Sequence, residues 1–580
     1  MNPFDSVRRD LLRVGSFGMA GAALPALASA AGKDKTPAAA PIVFNIRQFG
    51  AIGDGKTLDT DAVNRAIAAA AAAGGGTVLF PAGVYLCFSI HLQNYVHLYL
   101  DAGATILAAE SPKPGETTGY NGGTYDAAEP KTDWDAYQDY GHNHWHNSLI
   151  WAEDMHDFSI TGPGLIYGKG LSFGAGPGRG QQAGLRGFGM ERPAASAGTP
   201  AAPPAAPPPM RTGRGDYPMY QAEQPGVGNK AIALKNCRNV HLRDFSVLKG
   251  GHFALLLTGV DNLTIDNLTL DTDRDGMDID CCQNVRVSNC TVNSPWDDGI
   301  CPKSSYALGH ARPTRNVTIT NCFVTGCYQL GAVLDGSWKK FPPTPRPYGT
   351  GRIKCGTESN GGFINITISN CVFEGCQGYA LETVDGALLE DITITNTTMR
   401  DLASGPIFLR LGARLRGPKE STQVGTLKRI LISNIDCHNA PMRVSSILSG
   451  IPGYPIEDVK LSNIYVETAG GATADMAQIV PPEHEDSYPE PSMFGPIPAS
   501  GFFLRHIHNL EMSHVEIANA TPDARPAFYL SDVDRADFFA VTAPRAAGGA
   551  FALHDVKDLR IGWSRAAADA AYDNIDTKQL

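Results

Sequence analysis

Beyond its first quarter the sequence has almost no amphipathic helical pattern, which argues against an α/β barrel. The leucine consensus of a horseshoe repeat is missing too. Twelve cysteines are present, but they form no Cys-x-x-Cys pair and no His/Cys cluster at metal-ligand spacing. No metal centre and no cofactor is therefore expected. The glycine run Gly74-Gly75-Gly76 lacks the Gly-Lys-Ser/Thr ending of a phosphate loop. Positive charge is in deficit, 48 Lys and Arg against 59 Asp and Glu for a net charge of −11. That balance argues against nucleic acid as a partner, although a local basic cleft can override the global field.

The first residues read as an export signal. Ser6-Val7-Arg8-Arg9-Asp10-Leu11-Leu12 resembles a twin-arginine motif, an apolar stretch from Val14 to Leu27 follows, and Ala28-Ser29-Ala30 suits a signal peptidase. The apolar stretch is too short to span a bilayer. The expectation is a signal over 1–30, a linker over 31–41 and a mature protein that is soluble, periplasmic or secreted, with no membrane partner.

What is present is a repeat. The unit Asn-hydrophobic-x-hydrophobic-x-Asn occurs as NLTIDN at Asn262, NVRVSN at Asn284, NVTITN at Asn316 and NITISN at Asn365, with NVHLRD at Asn239. The first spacings are 23 and 22 residues; later ones stretch to 32 and 49, and related runs resume at Asp391, Ile430, Asp458 and Leu510. A period in the twenties with short alternating β-branched runs indicates stacked coils. The expected fold is all-β, a single-stranded right-handed parallel β-helix over 42–580, with caps at its two ends. A helix over Asp59–Ala73, rich in alanine and stopped by the three glycines, supplies the N-terminal cap. The Pro, Ala and Gly-rich stretch 172–227 reads as a flexible insertion without chemistry. Further excursions are expected at about 338–356 and 470–500, and a short terminal helix from Arg565. Cys290, Cys322 and Cys371 share one repeat phase and are expected as a packed internal column.

Equal phase also gathers acid groups. Asp275 lies thirteen residues after Asn262, and Asp297 and Asp298 lie thirteen and fourteen after Asn284. Stacked strands are about 4.8 Å apart, so three carboxylates should crowd one face near the middle of the solenoid. Like charges that close raise at least one pKa, and paired carboxyls are what acid–base cleavage of a glycosidic bond requires.

The stretch from Asn239 to Arg400, with the entrance at Phe44–Leu107, resembles glycoside hydrolase family 28, the polygalacturonases and their rhamnogalacturonan-cleaving relatives. The residues that carry the likeness are Asp273-Arg274-Asp275-Gly276-Met277-Asp278 and Asp297-Asp298-Gly299-Ile300-Cys301-Pro302-Lys303-Ser304. The resemblance implies hydrolysis of pectic polysaccharides or oligosaccharides with inversion, Asp297 as the acid, and Asp298 with Asp275 on the base side. Inversion in turn implies acid and base carboxyls roughly 6.5–9.5 Å apart.

Two segments depart from the family pattern. Where the family has Gly-His-Gly, the phase falls on Gln329 and Leu330, and His252, thirteen after Asn239, is an alternative imidazole. Where it has a carboxylate-binding Arg-Ile-Lys, the phase falls on Ala380-Leu381-Glu382, while Arg352-Ile353-Lys354 lies earlier, inside an excursion. Lys303 and Arg410 share a phase nineteen residues after Asn284 and Asp391, and Arg410, Arg414, Arg416 and Lys419 concentrate charge suited to a uronate. The expected substrate-binding set is thus His252, Lys303, Gln329, Arg352, Lys354, Glu382 and Arg410, with Tyr488 and Phe494 as candidate stacking rings. A β-helix lyase, with Asp273, Asp275, Asp278 and Asp280 as a calcium cluster, and a non-catalytic carbohydrate-binding β-helix remain alternatives. Oligomeric state, exact sugar and endo or exo action are not encoded in any pattern seen.

Overall fold

The computed structural model describes residues 43–138, 141–172, 224–342 and 349–580. The export signal, the linker and almost all of the 172–227 insertion lie outside the described residues. Successive coils run parallel, each contributing strands to three faces. One coil is Phe253–Thr258, Asp261–Asp266 and Thr269–Asp271; the next is Asp275–Asp280, Gln283–Ser288 and Thr291–Asn293. Leu263 pairs with Val240 before it and Val285 after it, so the apolar positions of the repeat stack in register. Those side chains point inward and are fully buried, while the residues between them face solvent, as period-two alternation requires. Later coils fuse two or three faces into one bent strand, as in Phe363–Glu374 and Phe502–Thr521.

The asparagines explain the bends. Asn239, Asn262, Asn284, Asn316 and Asn365 all have φ between 52° and 59°, a left-handed conformation that Asn tolerates better than most residues. Asn262, Asn284, Asn316 and Asn365 each donate the side-chain amide to the asparagine one coil earlier, at 2.9 Å for Asn262 to Asn239 and 3.0 Å for Asn316 to Asn284, and Asn239 donates to Asp157 at 2.9 Å. The second asparagine of the unit does the same at the next corner, with Asn396 donating to Asn370 at 3.2 Å and Asn463 to Asn434 at 2.7 Å.

The single α-helix among the described residues, Thr60–Ala72, buries Ala62, Val63, Ala66, Ile67 and Ala70 against the open end of the core. Gly75 ends it at φ 123°, where a Cβ would stand 2.8 Å from the Tyr95 carbonyl. At the other end the expected terminal helix is absent. Ala570–Gln579 is instead a strand, antiparallel to Phe551–Gly562. The last coil leaves an unpaired edge, and covering it outweighs the helix propensity of the alanines. All twelve cysteines are free thiols, and Cys290, Cys322 and Cys371 form the expected buried column. The excursion at 470–500 is present, with only short 3-10 turns at Ala474–Gln478 and Pro491–Phe494. The one placed at 338–356 lies earlier than expected: the chain leaves the stack after Thr325 and is back in it at Ile353, which pairs with Ile300, and at Lys354–Cys355, which pairs with Ala380–Leu381.

Candidate active site

One face is a sheet made of Ile90–His91, Ile150–Glu153, Lys230–Lys235, Phe253–Thr258, Asp275–Asp280 and Ile300–Lys303, continued by Lys354–Cys355, Tyr379–Thr383 and Ile407–Leu411. Its outward side chains change character along the solenoid axis. Ala233 and Leu256 are followed in register by Asp278. The apolar part is covered by Trp145, which packs on Ala233, Phe253 and Leu256 and donates to the Thr258 hydroxyl at 3.1 Å. Downstream, Phe494 and Ile497 of the 470–500 excursion cover Ala380, Phe408, Ile447 and Phe503. Three coils of polar floor remain between the two covers, about 14 Å at the usual strand spacing.

The three aspartates meet there. Asp275 opens its strand and Asp297-Asp298 sit in the turn before Ile300, where Gly276 donates its backbone N–H to the Asp298 carbonyl at 2.9 Å. One carboxylate oxygen from each lies within 4.8 Å of the others. These nearest oxygens lie closer than the roughly 6.5–9.5 Å that inversion implies between whole carboxyl groups, as their place on adjacent coils requires. One water within hydrogen-bond reach of both can still bridge oxygens that far apart.

Their environments differ. Asp275 is 4% exposed; burial, then the charges of Asp297 and Asp278, pushes its carboxyl well above the ordinary range. Asp298 is equally buried, but Arg352 Nε at 2.8 Å and Lys354 Nζ at 3.1 Å outweigh burial and hold it well below that range. The Asp297 side chain is 29% exposed and pairs with Arg274 at 2.9 Å. Neighbouring carboxylates were expected to keep the proton on Asp297. The structure assigns the raised carboxyl to Asp275, where burial and the charges of Asp297 and Asp278 outweigh the opposing charge of Lys303.

Below this triad runs a second charged layer. Asp278 accepts from His142 Nε2 at 3.0 Å and lies 3.6 Å from Lys303; Glu358 lies 3.3 Å from Lys303, 3.5 Å from His142 Nδ1 and 3.3 Å from Arg416. Burial pushes His142 toward the neutral form, yet Glu358 and Asp278 outweigh it and raise its pKa. Lys303 is thus at the site as expected, supporting it from below.

Other expected residues divide. Arg352 and Lys354 do reach the site, on the coil that follows Ile300–Lys303, where both face Asp298. His252 is buried 4.2 Å from the Phe253 ring in a stacked pair, one coil before Asp275. Burial and then the nearby charge of Arg274 push its pKa well down, so it is a neutral neighbour of the triad. Glu382 is fully buried 3.8 Å from Lys354, with neither oxygen accepting a hydrogen bond, and burial pushes its pKa up to about 8. It anchors Lys354 and is sealed from any sugar.

Two expectations fail. Gln329 spends its side chain on the Lys340 carbonyl at 3.0 Å, within its own loop. Arg410 is on the expected face, but its guanidinium donates to Ser449, Gly450, Glu483 and His484 and packs 5.2 Å from the Phe494 ring. It pins the 470–500 excursion to the sheet and has no donor to offer a uronate. Phe494 is likewise a core residue, whereas Tyr488 is 39% exposed above Lys354 and Arg414.

The aspartates proposed as a calcium cluster do not converge. Asp278 faces His142, and Asp280 accepts from the Ser305 backbone and hydroxyl at 2.8 and 2.7 Å. Among the described residues the triad itself, and Glu129 with His146 and Glu153, have oxygens or nitrogens close enough for a cation. In both places a Lys or Arg already supplies positive charge. Phase counting missed His142, Glu358 and Glu490. The run GHNHWHN from Gly141 was a usable signal for the first, being a dense polar stretch outside any repeat.

The family described as right-handed beta helix region matches residues 230–412, and that described as rhamnogalacturonase A/epimerase, pectate lyase-like, matches residues 43–131. Alginate lyase 7 of Azotobacter vinelandii is 62% identical over 42 residues, 7% of this chain and 5% of that protein. The chain therefore spans only a small part of the first curated relatives it matches. A probable polygalacturonase of Vitis vinifera is 21% identical over 444 residues, covering 73% of this chain and 74% of its own. A family 28 exopolygalacturonase structure from Yersinia enterocolitica superposes with a TM-score of 0.54 at 18% identity, covering 86% of this chain and 78% of that one. With the stacked coils, these findings show a right-handed parallel β-helix, and the two acidic motifs resemble those of the family 28 polygalacturonases.

Proposed function

We propose that the protein is an exported glycoside hydrolase that cleaves glycosidic bonds in pectic polysaccharides or oligosaccharides by acid–base chemistry. The observation that carries this reading is the convergence of three carboxyls in three different electrostatic settings. Asp297, the most exposed of them, reaches the leaving oxygen. Its proton comes from Asp275, which holds it at rest. Once Asp275 has passed that proton through Asp297 to the leaving group, it is a carboxylate and can accept a proton from water. Asp298, fixed as an anion by Arg352 and Lys354, orients that water and stabilises positive charge on the sugar ring. The water's hydroxyl adds to the anomeric carbon and its proton returns to Asp275, so the cycle closes. Water and acid on opposite faces of the ring give inversion.

A lyase needs a basic side chain available at the sugar. Arg274 and Arg352 both face carboxylates here, which favours hydrolysis. Incubation with a panel of pectic oligosaccharides separates the two. Hydrolysis releases saturated reducing ends, with the anomer of the first product readable by proton NMR. An unsaturated uronide would mark a lyase, and absence of cleavage across the panel would favour a binding protein. The twin-arginine-like start supports export, and recovery of a shortened chain from the periplasm or medium, with its new N-terminus sequenced, tests it.

A further inference from the structure

The hydrolase reading leaves open which sugar lies over Asp297, and the loop at 483–495 bears on it. Arg352 and Lys354 are 1% and 2% exposed. Arg352 bonds Asp298 with one nitrogen and Glu490 with another, and Lys354 lies 3.1 Å from Asp298 and 3.8 Å from both Glu382 and Glu490. Two cations thus face the carboxylates of Asp298 and Glu490 and the buried carboxyl of Glu382. Glu490 is held in place by its own segment, since Phe494, four residues on, is buried against Phe408 and Phe503. The groups left at the rim are Asp297, Arg274, Glu490 and Tyr488, with side chains 29%, 17% and 24% exposed for the first three. Two carboxylates and one cation, with that cation already bonded to Asp297, make the rim negative.

From this arrangement, and resting on the hydrolase reading, we infer that the sugar ring bound over Asp297 is uncharged and that Glu490 selects it. The Glu490 carboxylate stands on Arg352 where a substrate carboxylate would otherwise have to stand. A free uronate would bring a third negative charge against Asp297 and Glu490, while Arg274, Arg352, Lys354 and Arg414 each already face a carboxylate. An uncharged ring instead presents hydroxyl donors, which suit carboxylate acceptors, and an apolar face for Tyr488. Two sources in a pectic chain share that chemistry: a neutral monosaccharide in a mixed backbone, or a galacturonate whose carboxyl is esterified.

The test compares kcat/KM on three oligosaccharides of equal length: free galacturonate, its methyl ester, and an alternating rhamnose–galacturonate chain. Wild type should favour one of the last two over the first by about tenfold or more, the scale of one like-charge contact; which of the two wins identifies the source. Glu490→Gln should shrink that ratio by about tenfold through a gain on free galacturonate. A wild-type preference for free galacturonate, or a folded, active Glu490→Gln with an unchanged ratio, would overturn the inference. Calorimetry on wild type needs neither the variant nor turnover: methyl galacturonate or rhamnose should bind more tightly than galacturonate, and the reverse order would contradict the claim. Cleavage of none of the three would sink the hydrolase reading, while the calorimetric order would still decide this one.

Discussion

The flank that carries the asparagine ladders and the face that carries the carboxylates are built from the same coils by opposite rules. On the flank the polar corner repeats from Asn239 to Asn365: Asn262, Asn284 and Asn316 each accept from the next coil what they donate to the one before. On the cleft face almost every charge occurs once, and it is balanced by a different partner on another coil or on a loop. Asp298 depends on the next coil, Asp278 on His142 from a loop more than a hundred residues earlier, and Arg352 on Glu490 from a later excursion. Regular stacking builds the rod cheaply, whereas the site is a buried charge network whose members lose their balance if one is removed.

That contrast predicts unequal mutational costs. Arg352→Ala takes the partner from both Asp298 and Glu490 in a buried setting, and should destabilise by about 3–5 kcal/mol. Denaturant unfolding measures it, and a cost under about 1 kcal/mol, the worth of a surface ion pair, would remove the distinction between the two faces. A smaller effect appears with pH. Glu382 titrates at about 8 when folded against 4.5 ordinarily, so between those values the folded state holds a proton that the unfolded state has lost. Stability should therefore fall as pH rises through this window, by at most about 1.4 kcal/mol per unit from this group. Glu382→Gln should flatten that decline; an unchanged slope would show that Glu382 is not its source.

The flank should respond least. Asn284→Ala removes two exposed ladder bonds and places a poorly suited residue at φ 59°, for about 1–2 kcal/mol. Asn284→Gly keeps the bend and loses only the bonds, so it should cost less than alanine. Equal costs would mean that the ladder bonds, and not the backbone, are what asparagine supplies.

The same contrast decides what the sequence reveals. The coils, the cap helix and the cluster of Asp275, Asp297 and Asp298 are legible because no insertion interrupts the count from Asn262 to Asp298. The count fails at the next coil. The chain leaves the stack after Thr325 and rejoins it at Ile353, so the residue thirteen after Asn316 is Gln329, on a loop, while Arg352 occupies the place that mattered. Arg410 shows a different limit. Its phase is right, for it pairs in register with Glu382, but phase does not reveal that a later segment lies over it. His142 and Glu490 belong to no repeat, so only the folded chain brings them to the aspartates.

The central claim is that the triad performs hydrolysis with Asp297 as the donor to the leaving oxygen. Asp297→Asn changes that group with almost no change in shape, and the Arg274 pairing it weakens is partly solvated. The account predicts that kcat on an unactivated oligosaccharide falls by about 10²–10⁴-fold, with an unfolding midpoint close to wild type and a much smaller loss on a substrate with a good leaving group. Near-normal turnover of the unactivated oligosaccharide by the folded Asp297→Asn protein would contradict it.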